Sequence, residues 1–426
     1  MPTGEGEKRM GQENCGSRGV VPASYKWQLV VLLWVAFFLH QGNRQIYNVV
    51  LPLIKSGLSL SDTQAGLVQS VFTAIYGVCV PLAGFAGDRL RRKWQILMSI
   101  VVFSAGTLLT GLGGGVLAFV VFYGMATGGG EAFYYPPATS LLGQFHDKSR
   151  ATALSIHQTA LYAGITFSGF FSGYVGQRWG WRVPFYLFGG AGLVWACVLL
   201  PLLRDTLSDK GTSPARAPIG ATLEHILSKR SALCLALGFG CMVYVNVGFH
   251  TWMPFYLHEK FGFALDKAGF SAVFYHYLCA FFGVMLGGRL TDRWAARRPG
   301  VRFEANAYGL LLGAPFIYLM AQTSSAGLCF LMLGLFGLFR GVYDSNLFAS
   351  LFDVIKPQYR ASATGLMLSF AFLVGAFSPT VLGMVKTRFG LSVGLSSLAG
   401  FYVAGGAIIL SACVLYFRKD HEEVQA

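Results

Sequence analysis

Charged residues are scarce in this sequence: Asp, Glu, Lys and Arg together make up 12% of its 426 residues, about half the share found in soluble domains. A water-soluble fold of this size would need a much more highly charged surface. Hydrophobic residues reach 54%, and the mean hydropathy is +0.53. The composition therefore indicates an integral membrane protein, and the length gives no count of soluble domains.

Several patterns that would indicate other classes of protein are missing. The apolar runs are long and unbroken and do not alternate as the strands of a membrane β-barrel do, so we expect an all-α fold. The eight cysteines show no Cys-x-x-Cys or Cys/His ligand spacing, which argues against a disulfide framework or a metal site. The glycine-rich stretches lack the Gly-Lys-Ser/Thr end of a phosphate-binding loop. We therefore predict no enzyme activity, no metal, no cofactor and no ATP-driven pumping.

Long apolar segments recur along the whole sequence. A helix needs roughly 20 apolar residues to cross the hydrocarbon core of a bilayer, and about twelve segments meet that requirement. We therefore predict twelve transmembrane helices. They cover residues 27–50, 63–87, 94–113, 115–139, 151–174, 183–202, 231–257, 265–288, 305–322, 327–352, 361–384 and 394–417.

The formal net charge of +14 is distributed in a way that indicates orientation rather than nucleic-acid binding. Basic clusters precede the first segment and follow every even-numbered one, whereas the loops at 111–115 and 323–327 carry no charge. By the positive-inside rule, both termini are cytoplasmic. Residues 1–25 lack the apolar core of a signal peptide, so we predict a disordered cytoplasmic tail there. We expect a multi-pass protein of the bacterial cytoplasmic (inner) membrane.

Two local sequences repeat at nearly equal offsets. "GFAGDRLRRK" (84–93) matches "GRLTDRWAAR" (288–297), and "SRATALS" (149–155) matches "YRASATG" (359–365), each at the equivalent loop. This repetition predicts two pseudo-symmetric six-helix bundles. The predicted divisions are the tail 1–25, a first bundle 26–202, a cytoplasmic linker 203–230, a second bundle 231–418 and a cytoplasmic tail 419–426.

The motif Gly-x-x-x-Asp-Arg-x-x-Arg-Lys at 84–93 resembles the cytoplasmic signature loop of the major facilitator superfamily. The resemblance implies the fold of that family and a secondary transporter that works by alternating access. The match departs at Arg91, where the signature usually has glycine. Contacts of this loop form in one access state and break in the other. The residues predicted to act in gating are Gly84, Asp88, Arg89 and Arg92 in the first copy and Gly288, Asp292 and Arg293 in the second.

A closer resemblance concerns two further elements. "GNRQIYNVVLP" and "GGGEAFYYPPATSLL" resemble first-helix and fourth-helix elements of anion:cation symporters and spinster-type transporters. This implies a sugar, a sugar acid or a related organic anion as solute, with proton symport, in a monomeric carrier. The alternatives are a proton-coupled transporter of lysolipid or another amphiphile, and a non-transporting sensor of the same fold. Two departures are Asn43, where relatives carry an acid, and Gly124, where an arginine is common.

The stretch "HQGNRQ" in the first segment places polar groups within the membrane. Arg44 lies about 26 Å along the helix from the cytoplasmic entry near Lys26, with Pro52 and Lys55 at the exit. One interpretation is a helix end whose arginine reaches the headgroups. The other is a cavity lining, because ionisable groups at membrane depth are costly and usually face a partner or water.

Other segments carry a small set of ionisable residues at similar depth. Glu131 lies in the fourth segment, while Arg340 and Asp344 lie one turn apart in the tenth. We predict that Arg44 pairs with Glu131, that both act with Asp344 in proton coupling, and that Pro136–Pro137 break the fourth helix. Purely structural ion pairs are the alternative. The predicted solute-binding residues are His40, Gln41, Arg44, Gln45, Tyr135, His276, Arg340, Tyr343, Asp344 and Asn346.

The predicted orientation can be tested by cysteine labelling. In a chain freed of its native cysteines, Ser208→Cys in the linker should react only with reagents that cross the membrane. Ser324→Cys in the loop at 323–327 should react with an impermeant maleimide added to intact cells. Labelling of Ser208→Cys by the impermeant reagent would reverse the orientation.

Overall fold

The computed structural model describes residues 24–89, 91–146, 149–204, 219–295 and 297–425. Helices account for nearly all of these residues, and no β-strand occurs among them. The predicted all-α membrane fold is confirmed. Most of the predicted tail at 1–25 and the centre of the predicted linker, 205–218, fall outside the described residues.

The first half of the chain contains six long helical segments, of which the fourth is interrupted. The fourth segment comprises residues 116–119, a π-helical stretch (Val120–Thr127), and residues 128–132 and 135–145. The helices are α1 (Tyr25–Leu58), α2 (Asp62–Arg89), α3 (Arg92–Leu112), α4 (Val116–Phe119), α5 (Gly128–Ala132), α6 (Tyr135–Phe145), α7 (Arg150–Trp179) and α8 (Arg182–Leu202).

The second half repeats this arrangement after a short helix in the linker. The eleventh long segment of the chain, which lies in this half, comprises a 3₁₀ turn (Pro357–Tyr359) and residues 360–375 and 377–389. The helices are α9 (Ile219–Ser228), α10 (Arg230–Phe261), α11 (Leu265–Ala295), α12 (Val301–Gln322), α13 (Ala326–Val354), α14 (Arg360–Gly375), α15 (Phe377–Phe389), α16 (Leu391–Leu415) and α17 (Phe417–Gln425).

Nine helical segments of the described chain are long and apolar enough to cross a membrane by length and composition alone. The remaining three long segments, α1, α7 and α12, carry more polar residues. In α1 the polar residues include the stretch around Arg44. The helix also continues past Pro52 and Lys55, the predicted exit from the membrane, and ends at Leu58.

The beginning of each bundle lies close to the end of the same bundle. The Tyr25 hydroxyl on α1 donates to the carbonyl of Leu202 at the end of α8 (3.3 Å). At the start of α10, Lys229 pairs with Glu423 on α17. Both bundles thus begin and end on one side of the molecule, which we call the terminal side; the opposite side is the distal side. The predicted tail at 419–426 forms most of α17, which packs against α10, α13 and α16.

The two bundles approach each other most closely on the distal side. α7 crosses α11 at Gly169 and Gly269, where a Cβ added to Gly269 would lie 2.2 Å from the Gly169 carbonyl oxygen. Only glycine permits this approach, as at small-residue crossings in other membrane helices. Nearby, Asp62 at the start of α2 pairs with Lys386 at the end of α15 (3.2 Å). These contacts close the distal side of the space between the bundles.

Replacing Gly269 with leucine is expected to push α11 away from α7, because any side chain there meets the Gly169 carbonyl. We expect spin labels at Gln177 and Lys267 to move apart by about 2 Å or more, the spread that different contact residues produce in helix packing. Double electron–electron resonance measures this distance. Gly114→Leu is the control, because a Cβ there meets no atom within 4 Å. An unchanged distance in Gly269→Leu would show that the crossing does not require glycine.

Candidate functional site

A cavity of about 510 Å³ lies between the two bundles. Its wall is formed by α1, α2, α5, α6 and α7 from the first bundle and by α10, α11, α13 and α14 from the second. This volume lies within the range of about 300–1,000 Å³ typical of small-molecule sites. Seven of the predicted solute-binding residues are in this wall: His40, Gln41, Arg44, Gln45, Tyr135, Arg340 and Asp344.

The predicted pair of Arg44 and Glu131 is present, with Arg44 in the cavity wall and Glu131 buried behind it. Arg44 Nε donates to Oε2 of Glu131 (3.1 Å), and Nη2 lies within ion-pair distance of the same oxygen (3.0 Å). The Glu131 side chain is fully buried, whereas that of Arg44 is 25% exposed. The guanidinium also lies over the rings of Tyr76 (4.5 Å) and Phe72 (5.3 Å), a cation–π arrangement. The pair thus neutralises a buried carboxylate and leaves the arginine accessible from the cavity.

Glu131 lies directly before a break in the fourth segment. α5 ends at Ala132 and α6 begins at Tyr135, because Pro136 and Pro137 cannot donate to carbonyls of the preceding turn. The predicted break is therefore present. His40 Nε2 donates to the Glu131 carbonyl at 3.0 Å, which requires the tautomer with the proton on Nε2.

A second side chain supports the same break from α3. The Ser99 hydroxyl donates to the Gly130 carbonyl at 2.7 Å. The Gly130 and Glu131 carbonyls also accept backbone bonds, from the N–H groups of Phe133 (3.2 Å) and Tyr134 (3.3 Å), so Ser99 and His40 add a second donor to each. His40, which lies in the cavity wall, and Ser99 thus fix the end of α5, which carries Glu131, next to the break.

The second charged pair lies on α13. Arg340 Nε donates to both carboxylate oxygens of Asp344, at 3.1 and 3.0 Å. Its Nη1 donates to Oδ1 of Asn246 on α10 at 2.5 Å. The Asp344 side chain is 37% exposed, so this pair is in contact with the open part of the cavity, unlike Glu131. Both pairs are electrically balanced, and each presents its arginine at the cavity wall.

The remaining predicted solute contacts lie behind the cavity wall. His276 is fully buried, with its ring packed against Phe249 (5.3 Å) and Phe336 (4.6 Å). Asn346 is also buried, and its amide donates to the Val342 carbonyl on its own helix (2.9 Å). Tyr343 is fully buried as well. The structure therefore does not bring these three residues together with the seven in the wall.

Several residues in the wall were not predicted from the sequence. Asn246 and His250 lie one turn apart on α10, and Tyr277 on α11 donates to or accepts from His250 Nε2 at 3.2 Å. Tyr76 faces Arg44 from α2. A polar pair at spacing i, i+4 in an apolar segment was a signal for Asn246 and His250. The sequence carried no comparable signal for Tyr76, because aromatic residues are abundant throughout the chain.

The predicted gating residues lie on the terminal side. Gly84, Arg92 and Gly288 are half-buried and Arg293 is exposed, while the side chains of Asp88 and Arg89 fall outside the described part of the structure.

In the second copy of the loop, Asp292 pairs with Arg302 at the start of α12 (3.1 Å). Arg302 also pairs with Asp353 at the end of α13 (3.1 Å). The second signature loop is thus tied to two helix ends of its own bundle.

The cavity is accessible from the terminal side. α6 runs from the break toward that side, and Tyr135 at its start is 42% exposed although it lies in the cavity wall. Apolar residues of α2, α13 and α14 continue the wall there, including Val80, Phe348 and Leu368. With the distal side closed, the molecule has a single-sided opening.

Removing the arginine of each charged pair is expected to lower the stability of the protein by different amounts. Arg44→Ala should lower the free energy of unfolding by about 3 kcal/mol or more, because it leaves a buried carboxylate unpaired. Arg340→Ala should cost about 1 kcal/mol or less, because Asp344 remains solvated. Chemical denaturation in detergent measures both values.

A matched double variant separates loss of pairing from loss of packing. Arg44→Ala combined with Glu131→Gln should recover most of the stability lost in Arg44→Ala. If the double variant is no more stable than the single one, the cost lies in the packing of Arg44 on Tyr76 and Phe72.

Comparisons with known proteins match this chain to a family model and to curated relatives. The model of the Major Facilitator Superfamily matches residues 33–379. The hexuronate transporter of Bacillus subtilis (strain 168) is 25% identical over 418 residues, covering 92% of this chain and 95% of the relative. Protein spinster of Drosophila melanogaster is 26% identical over 421 residues, covering 90% of this chain and 67% of the relative.

Solved structures show the same fold. The crystal structure of a bacterial homolog of the human lysosomal transporter Spinster, in an inward-facing and unoccupied conformation, superposes with a TM-score of 0.81. The two sequences are 20% identical, and the match covers 95% of this chain and 99% of that chain.

Proposed function

We propose that this chain, which belongs to the Major Facilitator Superfamily, moves a small organic anion across the membrane together with protons. Membership of the family makes the chain a membrane transporter rather than an enzyme. The proposal adds the class of solute, the coupling ion and the location. We place the terminal side in the bacterial cytoplasm, where the basic loops of the sequence belong, and expect a monomer.

One observation carries the proposal: each bundle supplies an arginine to the same cavity. Arg44 and Arg340 both line it, and each is neutralised by a carboxylate of its own bundle. A carboxylate of the solute can replace either partner with the planar, two-donor geometry that arginine offers. The relative described as a hexuronate transporter supports a sugar acid, which combines one carboxylate with several hydroxyl groups.

The other polar groups of the wall fit the hydroxyls of such a solute. Gln41 and Gln45 on α1 and Asn246 on α10 supply amides, and His250 supplies a ring nitrogen. Each amide offers both a donor and an acceptor, as a sugar hydroxyl requires. A solute bound between α1 and α10 would contact both bundles, so its binding would respond to their relative movement.

Proton coupling can arise because Arg44 and Glu131 neutralise each other in the absence of a bound proton. A proton on Glu131 removes the charge that holds Arg44, and the guanidinium then becomes available to the solute carboxylate. Release of the solute allows Arg44 to return to Glu131 when the proton leaves. Solute and proton are thus bound together and released together, which is the linkage that symport requires.

An amphiphilic solute is the second candidate. The terminal-side wall includes the apolar residues Val80, Phe348, Leu368 and Phe372, which would accommodate a hydrocarbon chain. The spinster-type elements of the sequence, which imply such a solute, are the second basis for this candidate. In this case the two arginines would bind a charged headgroup and the apolar wall would contact the chain.

Uptake into proteoliposomes distinguishes these functions. With labelled D-glucuronate and an imposed pH gradient, the unmodified protein should accumulate the sugar acid. Uptake of lysophosphatidylcholine without uptake of glucuronate would favour the second candidate. Transport of neither compound, together with a thermal shift on adding glucuronate, would support a sensor.

Glu131→Gln tests the coupling residue. The amide cannot titrate, so accumulation driven by the pH gradient should fall to the level measured without a gradient. Exchange of labelled for unlabelled glucuronate should persist, because the neutral amide leaves Arg44 unpaired and available. Asp344→Asn is the matched comparison and should retain gradient-driven accumulation. The opposite pattern in the two variants would assign the proton to Asp344.

A further inference from the structure

A groove of about 640 Å³ lies on the outer surface of the first bundle, away from the central cavity. It runs between α3 and the interrupted fourth segment. Its walls include an arginine at one end, three apolar residues of α3 and two residues of the fourth segment. These six residues are Arg91, Trp94, Met98, Val102, Gly129 and Phe133.

The apolar side of the groove is one face of α3. Trp94, Met98 and Val102 follow each other at intervals of four residues, so they lie in a row along the helix. Their exposed fractions are 51%, 60% and 39%. The opposite wall of the groove lies close to the backbone, because Gly129 and Gly130 have no side chains. A Cβ on Gly130 would lie 2.7 Å from the Phe103 backbone nitrogen.

The length of the groove corresponds to one leaflet of a bilayer. Arg91 precedes α3 on the terminal side, and Val102 lies roughly 16 Å further along at 1.5 Å per residue. The hydrocarbon core of a bilayer is about 30 Å thick, so the groove extends from the headgroup level to near the membrane centre. A single lipid chain of the terminal-side leaflet would span it.

The charged end of the groove favours an anionic headgroup. Within the described residues the Arg91 side chain makes no hydrogen bond or ion pair, and the following Arg92 and Lys93 add positive charge at the same level. Basic residues at this level attract anionic lipids by about 1 kcal/mol each. Arg91 occupies the position where the signature loop usually has glycine, so this charge is a feature of the present chain.

We propose that this groove binds one anionic phospholipid from the terminal-side leaflet. Its phosphate pairs with Arg91, and one acyl chain lies on Trp94, Met98 and Val102. Lipid binding here does not depend on the identity of the transported solute.

The position of the groove connects the lipid with the transport machinery. Its far wall contains Gly129, Gly130 and Phe133. In the sequence, the two glycines precede Glu131 and Phe133 follows it. The carboxylate of Glu131 pairs with Arg44, which lines the central cavity. An acyl chain in the groove therefore contacts the opposite face of the same break and limits the movement of that segment.

Native mass spectrometry of the full chain in detergent tests the site. We would add dioleoyl phosphatidylglycerol or dioleoyl phosphatidylcholine, which have the same acyl chains and differ in headgroup charge. We expect tighter binding of phosphatidylglycerol, and Arg91→Gln should weaken it about fivefold, as the loss of one interfacial cation predicts. Lys93→Gln, which does not line the groove, is the matched control and should change binding much less. Equal losses in the two variants would mean general attraction to basic charge and would overturn the site.

A second pair of variants tests the acyl-chain position. Met98→Trp fills the groove from an exposed position, so folding should be retained and one phosphatidylglycerol molecule should be lost from the spectrum. Val194→Trp adds the same bulk to α8 at a site that is 65% exposed, and should leave binding unchanged. Full retention of the lipid in Met98→Trp would show that its chain does not occupy the groove.

Discussion

The need to pair charges that are withdrawn from water governs the arrangement of this molecule. Glu131 is fully buried at a depth where an unpaired charge costs several kcal/mol. Arg44 meets this need from another helix, and the aromatic rings of Tyr76 and Phe72 stabilise its position. The ion pair consequently fixes α1 against the fourth segment, and the arginine remains accessible to the cavity.

The fourth segment shows how a break becomes possible inside a membrane. Pro136 and Pro137 interrupt its backbone hydrogen bonds, and His40 and Ser99 on neighbouring helices anchor the carbonyls of Glu131 and Gly130 just before the break. A polar side chain in such a segment can thus serve the backbone as well as a solute. The break also makes the segment the least regular of the first bundle, with the candidate proton carrier at its edge.

The two bundles differ in how they hold their charged pair. In the first bundle the pair joins separate helices, so a movement of one helix can open it. In the second bundle Arg340 and Asp344 lie on α13 and would remain together when the helix moves as a unit. Arg340 also bonds to Asn246, which joins α13 to α10. The first pair is therefore better suited to respond to a change of access.

The sequence by itself determined the membrane class, the helical segments and the few ionisable groups within them, because hydropathy and charge are properties of local composition. It also indicated the partner of Arg44, because few ionisable groups lie at that depth. The break after Glu131 was predictable too, since proline interrupts its own helix.

Only the tertiary structure decided which polar residues share a cavity. His276 and Asn246 are equally polar in the sequence, yet packing turns His276 toward Phe249 and Phe336 and brings Asn246 to Arg340. The direction of each side chain depends on helix rotation and on contacts between distant segments, which local composition does not specify.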